Sequence, residues 1–439
     1  MTRETAAAEP VVGSAKAPLR ARRARGLSGV LGAGLITGAS DDDPSGIGTY
    51  AQAGASYGFG LGWTLLFSYP LMVAIQGICA RIGRTTGRGL AGNLREHYPN
   101  WVLQATVALL LVANTLNIGA DLGAMAAATR LLLPDSPGWP WIVLFGALCT
   151  AAQIFLDHRR YVAVLKWLTL VLFSYFASLL AIRVPWLSVL QGLLLPHIST
   201  KSSFWMMVVA ILGTTISPYL FFWQAAQEVE DTKADRTRVP LRRRPRQGSS
   251  ELRRIRIDTL IGMGISNLVA LAILVTTAAT LHRAGLHEVT TAAQAAEALR
   301  PLAGDFAFAL FALGIIGTGL LAVPVLAGSA AYALGEACRW PVGFARKPLQ
   351  AKAFYATIVA ATLLGALENL ARLNPVTALV WSAVINGIVA VPLMALLMLM
   401  GANPKIMGAF RISGWWSRLG WAATVVMAMA AGGMILSAL

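Results

Sequence analysis

The stretch Gly38-Ala-Ser-Asp-Asp-Asp-Pro-Ser-Gly-Ile-Gly48 lies in the middle of the first long apolar segment of the chain. Three consecutive carboxylates followed by proline and glycine do not continue a membrane helix. Pro44 has no backbone N–H and pushes the residue before it out of the helical region, while Gly46 and Gly48 let backbones approach closely. Unwound backbone at membrane depth is tolerated where it is buried in protein or lines a cavity, and carboxylates at that depth mark ion or substrate paths. The break reads as a cation site, and the rest of the chain as its housing.

Outward from the break, composition sets the surroundings. The 439 residues are 56% hydrophobic and 13% charged, and the mean hydropathy is +0.63. These values describe a polytopic membrane protein and exclude a soluble enzyme. Eleven spans are expected, at roughly 27–55, 61–82, 102–130, 141–156, 160–182, 204–226, 258–281, 305–335, 351–370, 376–400 and 419–439. The net charge of +16 is explained by where the cations fall. With the N-terminus in the cytoplasm, thirty of the 36 Lys and Arg residues lie inside, and only Arg130, Arg183, Lys201, Arg283, Arg300 and Arg372 lie outside. The positive-inside rule thus predicts a multi-pass protein of a bacterial-type inner or plasma membrane, N-terminus inside and C-terminus outside. The charge is orientation, not nucleic-acid binding.

Residues 1–26, rich in Ala, Pro and Arg and lacking a small-residue cleavage site, are expected to form a disordered basic cytoplasmic arm. A basic cytoplasmic loop is expected over 228–257, centred on Leu241-Arg-Arg-Arg-Pro-Arg246, either solvated or in contact with anionic lipid. Cys79, Cys149 and Cys338 show no paired spacing and imply neither a disulfide framework nor a metal cluster.

A second break is written into span six, Gly213-Thr-Thr-Ile-Ser-Pro-Tyr-Leu-Phe-Phe-Trp-Gln224, where Pro218 follows hydroxyl residues near mid-span. Alone it reads as a structural kink. Paired with the break in span one, it points to a transporter's central site, because interrupted helices at corresponding positions of two halves mark that site. Residues 27–182 (spans one to five) and 204–400 (spans six to ten) start from opposite sides of the membrane and form an inverted repeat, with span eleven, 419–439, outside it. The fold class expected is an all-α polytopic membrane protein built on a 5+5 inverted repeat. In span three, Asn114, Asn117 and Asp121 share one helical face, either as a polar seam between helices or as part of a permeation path. In span ten, Ser382 and Asn386 stand four residues apart and either face the site or cap a packing seam.

Only Asp41, Asp42, Asp43 and Asp121 among the 20 acidic residues lie away from span ends, and the five histidines fall in or beside loops. No Met or Cys occupies either break. The ligand set is oxygen alone: Asp carboxylates, unwound carbonyls, and the hydroxyls of Ser45, Thr214, Thr215 and Ser217. Such a set suits Mg2+, Mn2+ or Ca2+ and lacks the sulfur that favours softer metals. Three adjacent carboxylates titrate as a coupled set, and a divalent cation relieves their repulsion. Successive side chains diverge, so Asp43 is the expected direct ligand, Asp42 assists through water, and Asp41 serves the cytoplasmic vestibule.

These residues resemble the NRAMP family of divalent-metal transporters, whose fold is the LeuT-type inverted repeat, over nearly all of spans one to ten. That family carries Asp-Pro-Gly-Asn in span one, Asp-Leu-Ala-Glu in span three and Ala-Thr-Val-Met-Pro-His in span six; here these read Asp43-Pro-Ser-Gly46, Asp121-Leu-Gly-Ala124 and Thr214-Thr-Ile-Ser-Pro-Tyr219. The departures fall on functional positions. The resemblance implies that an Asn ligand has become Gly46, a Met ligand Ser217, a proton-linked His Tyr219, and an acidic residue Ala124. Loss of the thioether makes Mg2+ acceptable, and loss of the relay argues against tight proton coupling. The pattern is similar to the NRAMP-related magnesium transporters.

The expected function is alternating-access transport of a divalent cation, Mg2+ first and Mn2+ also, without tight proton coupling. Asp42, Asp43, Ser45, Gly46, Thr214 and Ser217 form the metal site, and Asp41, Asn117, Asp121, Tyr219 and Asn386 line the ion or proton path. The metal is substrate, no cofactor and no catalysis are expected, and the chain is expected to act as a monomer. The rivals are a proton-coupled Mn2+ or Fe2+ symporter, an amino-acid symporter of the same fold, which three carboxylates at the break disfavour, and a non-transporting receptor, which has no use for a charged midplane.

Overall fold

The structure is a computed structural model that describes residues 33–155, 173–235, 237–371 and 373–438, and among these every regular element is helical. Span one is two helices, α1 (Ala33–Asp41) and α2 (Pro44–Tyr57). The expected half-helices, Leu27 to Ala39 and Gly46 to Gly54, are too widely separated; residues 27–32 lie outside the described residues, and the helical path is left only at Asp42 and Asp43. Asp43 is extended (φ −68°, ψ 171°) and its side chain accepts from Gly46 N, while Pro44 opens the next helix. A capping carboxylate followed by a proline that needs no N–H partner starts a helix at once, so the break stays short.

The chain continues through α3 (Gly62–Thr86), α4 (Leu90–His97), α5 (Asn100–Leu132) and α6 (Trp139–Phe155). The expected hairpin at 156–160 and most of span five lie outside the described residues; α7 (Phe173–Ala181) is the described end of that span, and α8 (Trp186–Leu194) follows it. Span six is again two helices, α9 (Ser202–Thr215) and α10 (Pro218–Ala234), parted at Ile216 and Ser217, with Pro218 in the first position of α10. Then come α11 (Gly248–Thr277), running into a π turn at Ala278–His282, and α12 (Ala307–Ala337), α13 (Lys352–Glu368), α14 (Pro375–Ala402) and α15 (Trp415–Ala438).

The basic connection expected over 228–257 is shorter. Helix persists to Ala234 and resumes at Gly248, because the charges beyond the apolar run are paired: Glu228 Oε2 meets Arg254 Nη2 at 2.5 Å, and Arg254 Nε meets Glu251 Oε2 at 3.2 Å. Leu241 N and Arg242 N donate to Arg84 O and Thr85 O, so the arginine-rich segment lies against the end of α3.

Among the described residues, eight helices are long and apolar enough to cross a membrane. Large apolar side chains such as Trp101, Phe155, Leu180 and Leu363 are exposed on the outside of the bundle, as a lipid-facing surface requires. The two broken helices run through its centre, α1 and α2 packed against α11 and α9 against α14. These contacts are close because glycine stands at the crossings. A Cβ at Gly38 would lie 2.2 Å from Gly262 O on α11, and one at Gly213 would lie 2.1 Å from Ala383 O on α14. Span eleven, α15, packs on α9, α14 and α3 from outside.

Candidate functional site

The two breaks meet. Tyr219, second residue of α10, donates its hydroxyl to Ser40 O at 2.7 Å, which ties the start of α10 to the end of α1. The carbonyl ends of α1 and α9 thus face the same region as the N-terminal ends of α2 and α10, an arrangement that brings partial charges of both signs to one place.

At that place Asp43 is fully engaged. Its Oδ1 accepts from Gly46 N at 2.6 Å and from Ser45 Oγ at 2.8 Å, and its Oδ2 accepts from Asn117 Nδ2 at 2.9 Å. Asn117 Nδ2 also lies 3.2 Å from Asp121 Oδ2, and Asn117 Oδ1 accepts from Asn386 Nδ2 at 3.0 Å. Three helices, α2, α5 and α14, are therefore joined by one chain of polar groups buried at the centre of the bundle. Buried side-chain carboxamides and carboxylates at this depth satisfy one another's hydrogen-bonding groups.

Asp41 and Asp42 turn elsewhere. Both face Ser266 on α11, whose Oγ is 2.8 Å from Asp41 Oδ2 and 3.3 Å from Asp42 Oδ1. The three carboxylates are 0%, 1% and 2% exposed in order along the chain. Asp41 thus lies in the interior, not in a vestibule, and Asp42 sits with Asp41, apart from the Asp43, Ser45 and Asn117 group. Among the described residues no three His, Cys, Asp or Glu side chains form a ready metal cage.

The oxygens that do converge surround Gly46. A Cβ on Gly46 would lie 3.0 Å from Thr214 Oγ1, 3.2 Å from Asp41 O and 3.4 Å from Asp43 Oδ1. The absent side chain leaves a small cradle, with a hydroxyl of α9, a carbonyl of α1 and a carboxylate oxygen of the break within 3.4 Å of one point. Ser217 does not join them through its proton: its hydroxyl is turned back to Gly213 O at 2.9 Å and Thr214 O at 2.8 Å. Asp41 Oδ1, Asp121 Oδ1 and Asn386 Oδ1 are buried acceptors without a hydrogen-bond partner among the described residues. Unpartnered acceptors at depth are expensive, and a cation or proton would relieve them.

A family model described as natural resistance-associated macrophage protein-like, Nramp, matches residues 34–437. This chain belongs to the Nramp family. It is an integral membrane transporter and not an enzyme, and a metal in such a protein is cargo, not cofactor. Nramp relatives include the divalent metal cation transporter MntH of Pectobacterium carotovorum, 26% identical over 89% of this chain and 90% of that one, and MntH of Klebsiella pneumoniae, 26% identical over 93% and 94%. The manganese transporter of Eremococcus coleocola superposes with a TM-score of 0.73 at 16% identity, over 92% of this chain and 86% of that one. Mhp1, a nucleobase-cation-symport-1 transporter, superposes with a TM-score of 0.56 at 14% identity, over 93% of each. At these identities the likeness is one of fold: the Nramp chain is an all-helical LeuT-type bundle with spans one and six broken.

Two functional features of this Nramp chain escaped sequence reading. Ser266 in span seven holds two of the three carboxylates; the signal for it was a Ser-Asn pair inside an apolar run. The basic end of the bundle is closed by charge. Arg84, fully buried, reaches Glu251 Oε2 at 3.2 Å, Val239 O at 2.7 Å and Gln247 Oε1 at 3.2 Å, beside the Glu228 and Arg254 pair. At the opposite end lies a cavity of about 480 Å³, lined in part by Gln52, Lys201, Met207, His287 and Val380.

Proposed function

We propose that this chain carries divalent metal cations across the membrane by alternating access, with Mg2+ as its first substrate and Mn2+ accepted. The observation that carries this reading is the Gly46 cradle, where Thr214 Oγ1, Asp41 O and Asp43 Oδ1 lie within 3.4 Å of one point. Oxygen donors with a single carboxylate suit Mg2+, which needs few direct protein ligands. The names of the MntH relatives support divalent metal as the cargo class. With Ser217 at the position of a thioether and Tyr219 hydrogen-bonded to Ser40, the site offers no sulfur and no imidazole. The ion passes from the cavity beside α2 to the site, and opening of the Arg84, Glu251, Arg254 and Glu228 network releases it on the cytoplasmic side, where the basic end lies by the positive-inside rule.

The test is Mg2+ influx into liposomes holding purified protein, followed with an internal Mg2+ dye and a parallel pH dye. Flux that Asp43→Ala abolishes and that brings no proton signal is the expected result. A second reading, proton-coupled uptake of Mn2+, is favoured by the unpartnered Asp121 Oδ1 next to Asn117. Mn2+ influx with internal acidification, lost in Asp121→Asn, and no Mg2+ flux would establish it instead.

A further inference from the structure

His282, at the end of the π turn after α11, and His287 meet at the mouth of the bundle opposite the basic end. Their rings are 4.8 Å apart and inclined at 69°. The two Nδ1 atoms are 3.3 Å apart, and both face the carbonyl of Ala55 on α2, His282 Nδ1 at 2.7 Å and His287 Nδ1 at 3.4 Å. Two side-chain nitrogens and one carbonyl oxygen therefore form a small triangle.

The triangle has the dimensions of a metal's ligand face. Two nitrogens bound to a tetrahedral Zn2+ at 2.0–2.1 Å stand about 3.4 Å apart, close to the spacing of the two Nδ1 atoms. Only the contact between His282 Nδ1 and Ala55 O has to lengthen, by about half an ångström. The site is held on both sides. Gly58, at φ +57°, has no Cβ, and one built there would lie 3.2 Å from His282 Nε2. Ser56 Oγ donates to His287 O at 2.7 Å, and Val289 N donates to Gln52 Oε1 at 2.9 Å, so the segment carrying His287 is braced against α2. His287 is exposed and lines the 480 Å³ cavity together with Glu288, whose charge favours a cation, and Lys201, whose charge opposes it. Arg283 turns away, its Nη1 3.4 Å from Arg183 O.

We propose that His282, His287 and Ala55 O form a second metal site, for a borderline transition-metal cation of the Zn2+ class, whose occupancy clamps α2 to residues 282–289 and slows transport. Imidazole nitrogen selects such ions over the hard cations that suit the oxygen cradle at Gly46. Binding needs each Nδ1 as a lone pair, so a ring that donates Nδ1–H to Ala55 O carries that proton on Nε2 instead and gives up that hydrogen bond. The outer half of α2 is continuous with the helix that Asp43 caps, and pinning it opposes any movement that alternating access requires of the break. That inhibitory consequence, though not the binding itself, rests on the transport reading above.

The binding is tested without transport, by calorimetric titration of Zn2+ into purified Asp43→Ala protein and, in parallel, into wild-type protein held in excess Mg2+. One equivalent is expected to bind in both, and His287→Gln in either background is expected to weaken it at least about tenfold, more than the loss of a supporting contact to a ligand. His282→Gln should do the same; because its ring packs against Gly58, His287→Gln on the exposed side guards against misfolding. In liposomes, external Zn2+ should reduce wild-type Mg2+ flux, and the fractional reduction should be much smaller in His287→Gln, each protein being compared with its own flux without Zn2+. Equal Zn2+ affinity with and without His287 overturns the site, and Zn2+ inhibition undiminished in His287→Gln overturns the clamp.

Discussion

Asn117 holds Asp43: its side-chain amide donates to Asp43 Oδ2 at 2.9 Å from the middle of α5, while its carbonyl oxygen is itself held by Asn386 on α14. The carboxylate of the break is thereby fixed by a helix 74 positions away in the chain. Replacing Asn117 by Ala removes that donor and leaves a buried charge short of a partner, at a cost of about 1–3 kcal/mol. Asn117→Ala is expected to retain the fold and to lose most of the Mg2+ flux, read in liposomes against protein of matched thermal stability. Flux at the wild-type level would show that Asp43 is positioned by the cap alone.

Gly46 is expected to set selectivity by volume. A methyl group there presses on Thr214 Oγ1 at 3.0 Å and on Asp41 O at 3.2 Å, so the cradle must widen or lose its ion. Gly46→Ala should raise the Mg2+ concentration needed for half-maximal flux several-fold, about the effect of 1 kcal/mol of crowding, while barely moving the melting temperature. An unchanged concentration dependence would place the ion elsewhere.

The resemblance implies that Ser217 stands where the family pattern has a thioether, and its hydroxyl donates to the carbonyls of Gly213 and Thr214. Ser217→Met introduces a soft ligand and should turn preference from Mg2+ towards Cd2+. Competition of the two ions for flux measures this. A preference that stays with Mg2+ removes sulfur from the explanation of selectivity.

The charge network at the basic end yields an asymmetric pair of outcomes. Arg254→Met leaves Glu228, 0% exposed at its side chain, without its 2.5 Å partner, and removal of one member of a buried pair costs about 3–5 kcal/mol. The doubly substituted Glu228→Gln, Arg254→Met protein removes both charges and should recover most of that loss. Thermal unfolding in detergent, followed by tryptophan fluorescence, checks both, and a double variant as unstable as the single one would mean that packing, not charge, carries the contact.

Much of this architecture is legible in the sequence because membrane depth makes polar residues conspicuous. Pro44 and Pro218 announce interruptions of spans one and six, and both interruptions stand in the structure, although the second helix of span one starts at Pro44 and not at Gly46. Asn114, Asn117 and Asp121 share a face by spacing alone, and Asn117 and Asp121 do meet through one amide. What spacing could not convey is which distant partner each group finds. Ser266 lies 225 positions from Asp41 and reads as one hydroxyl in an apolar run. Gly46 reads as a missing ligand, and spacing does not show that Thr214 of span six joins Asp41 O and Asp43 Oδ1 around it. The end of α10 and the start of α11 read as a loop because their charges look solvated, whereas in the structure those charges are paired, Glu228 with Arg254 and Glu251 with Arg84 and Arg254.

The seal at the basic end consists of ions held by other ions, and that has a consequence for its depth as an energy well. An apolar plug gains its whole stability from excluding water and loses it all when wetted. A cluster such as Arg84, Glu251, Arg254 and Glu228 has surrendered hydration to form, and recovers that hydration as it parts, so the closed and parted forms differ by far less than the number of contacts suggests. Geometry, through the directional bonds of Arg84 to Val239 O and Gln247 Oε1, fixes where the seal closes. On the transport reading proposed above, the result is a latch that is exacting in register and shallow in free energy.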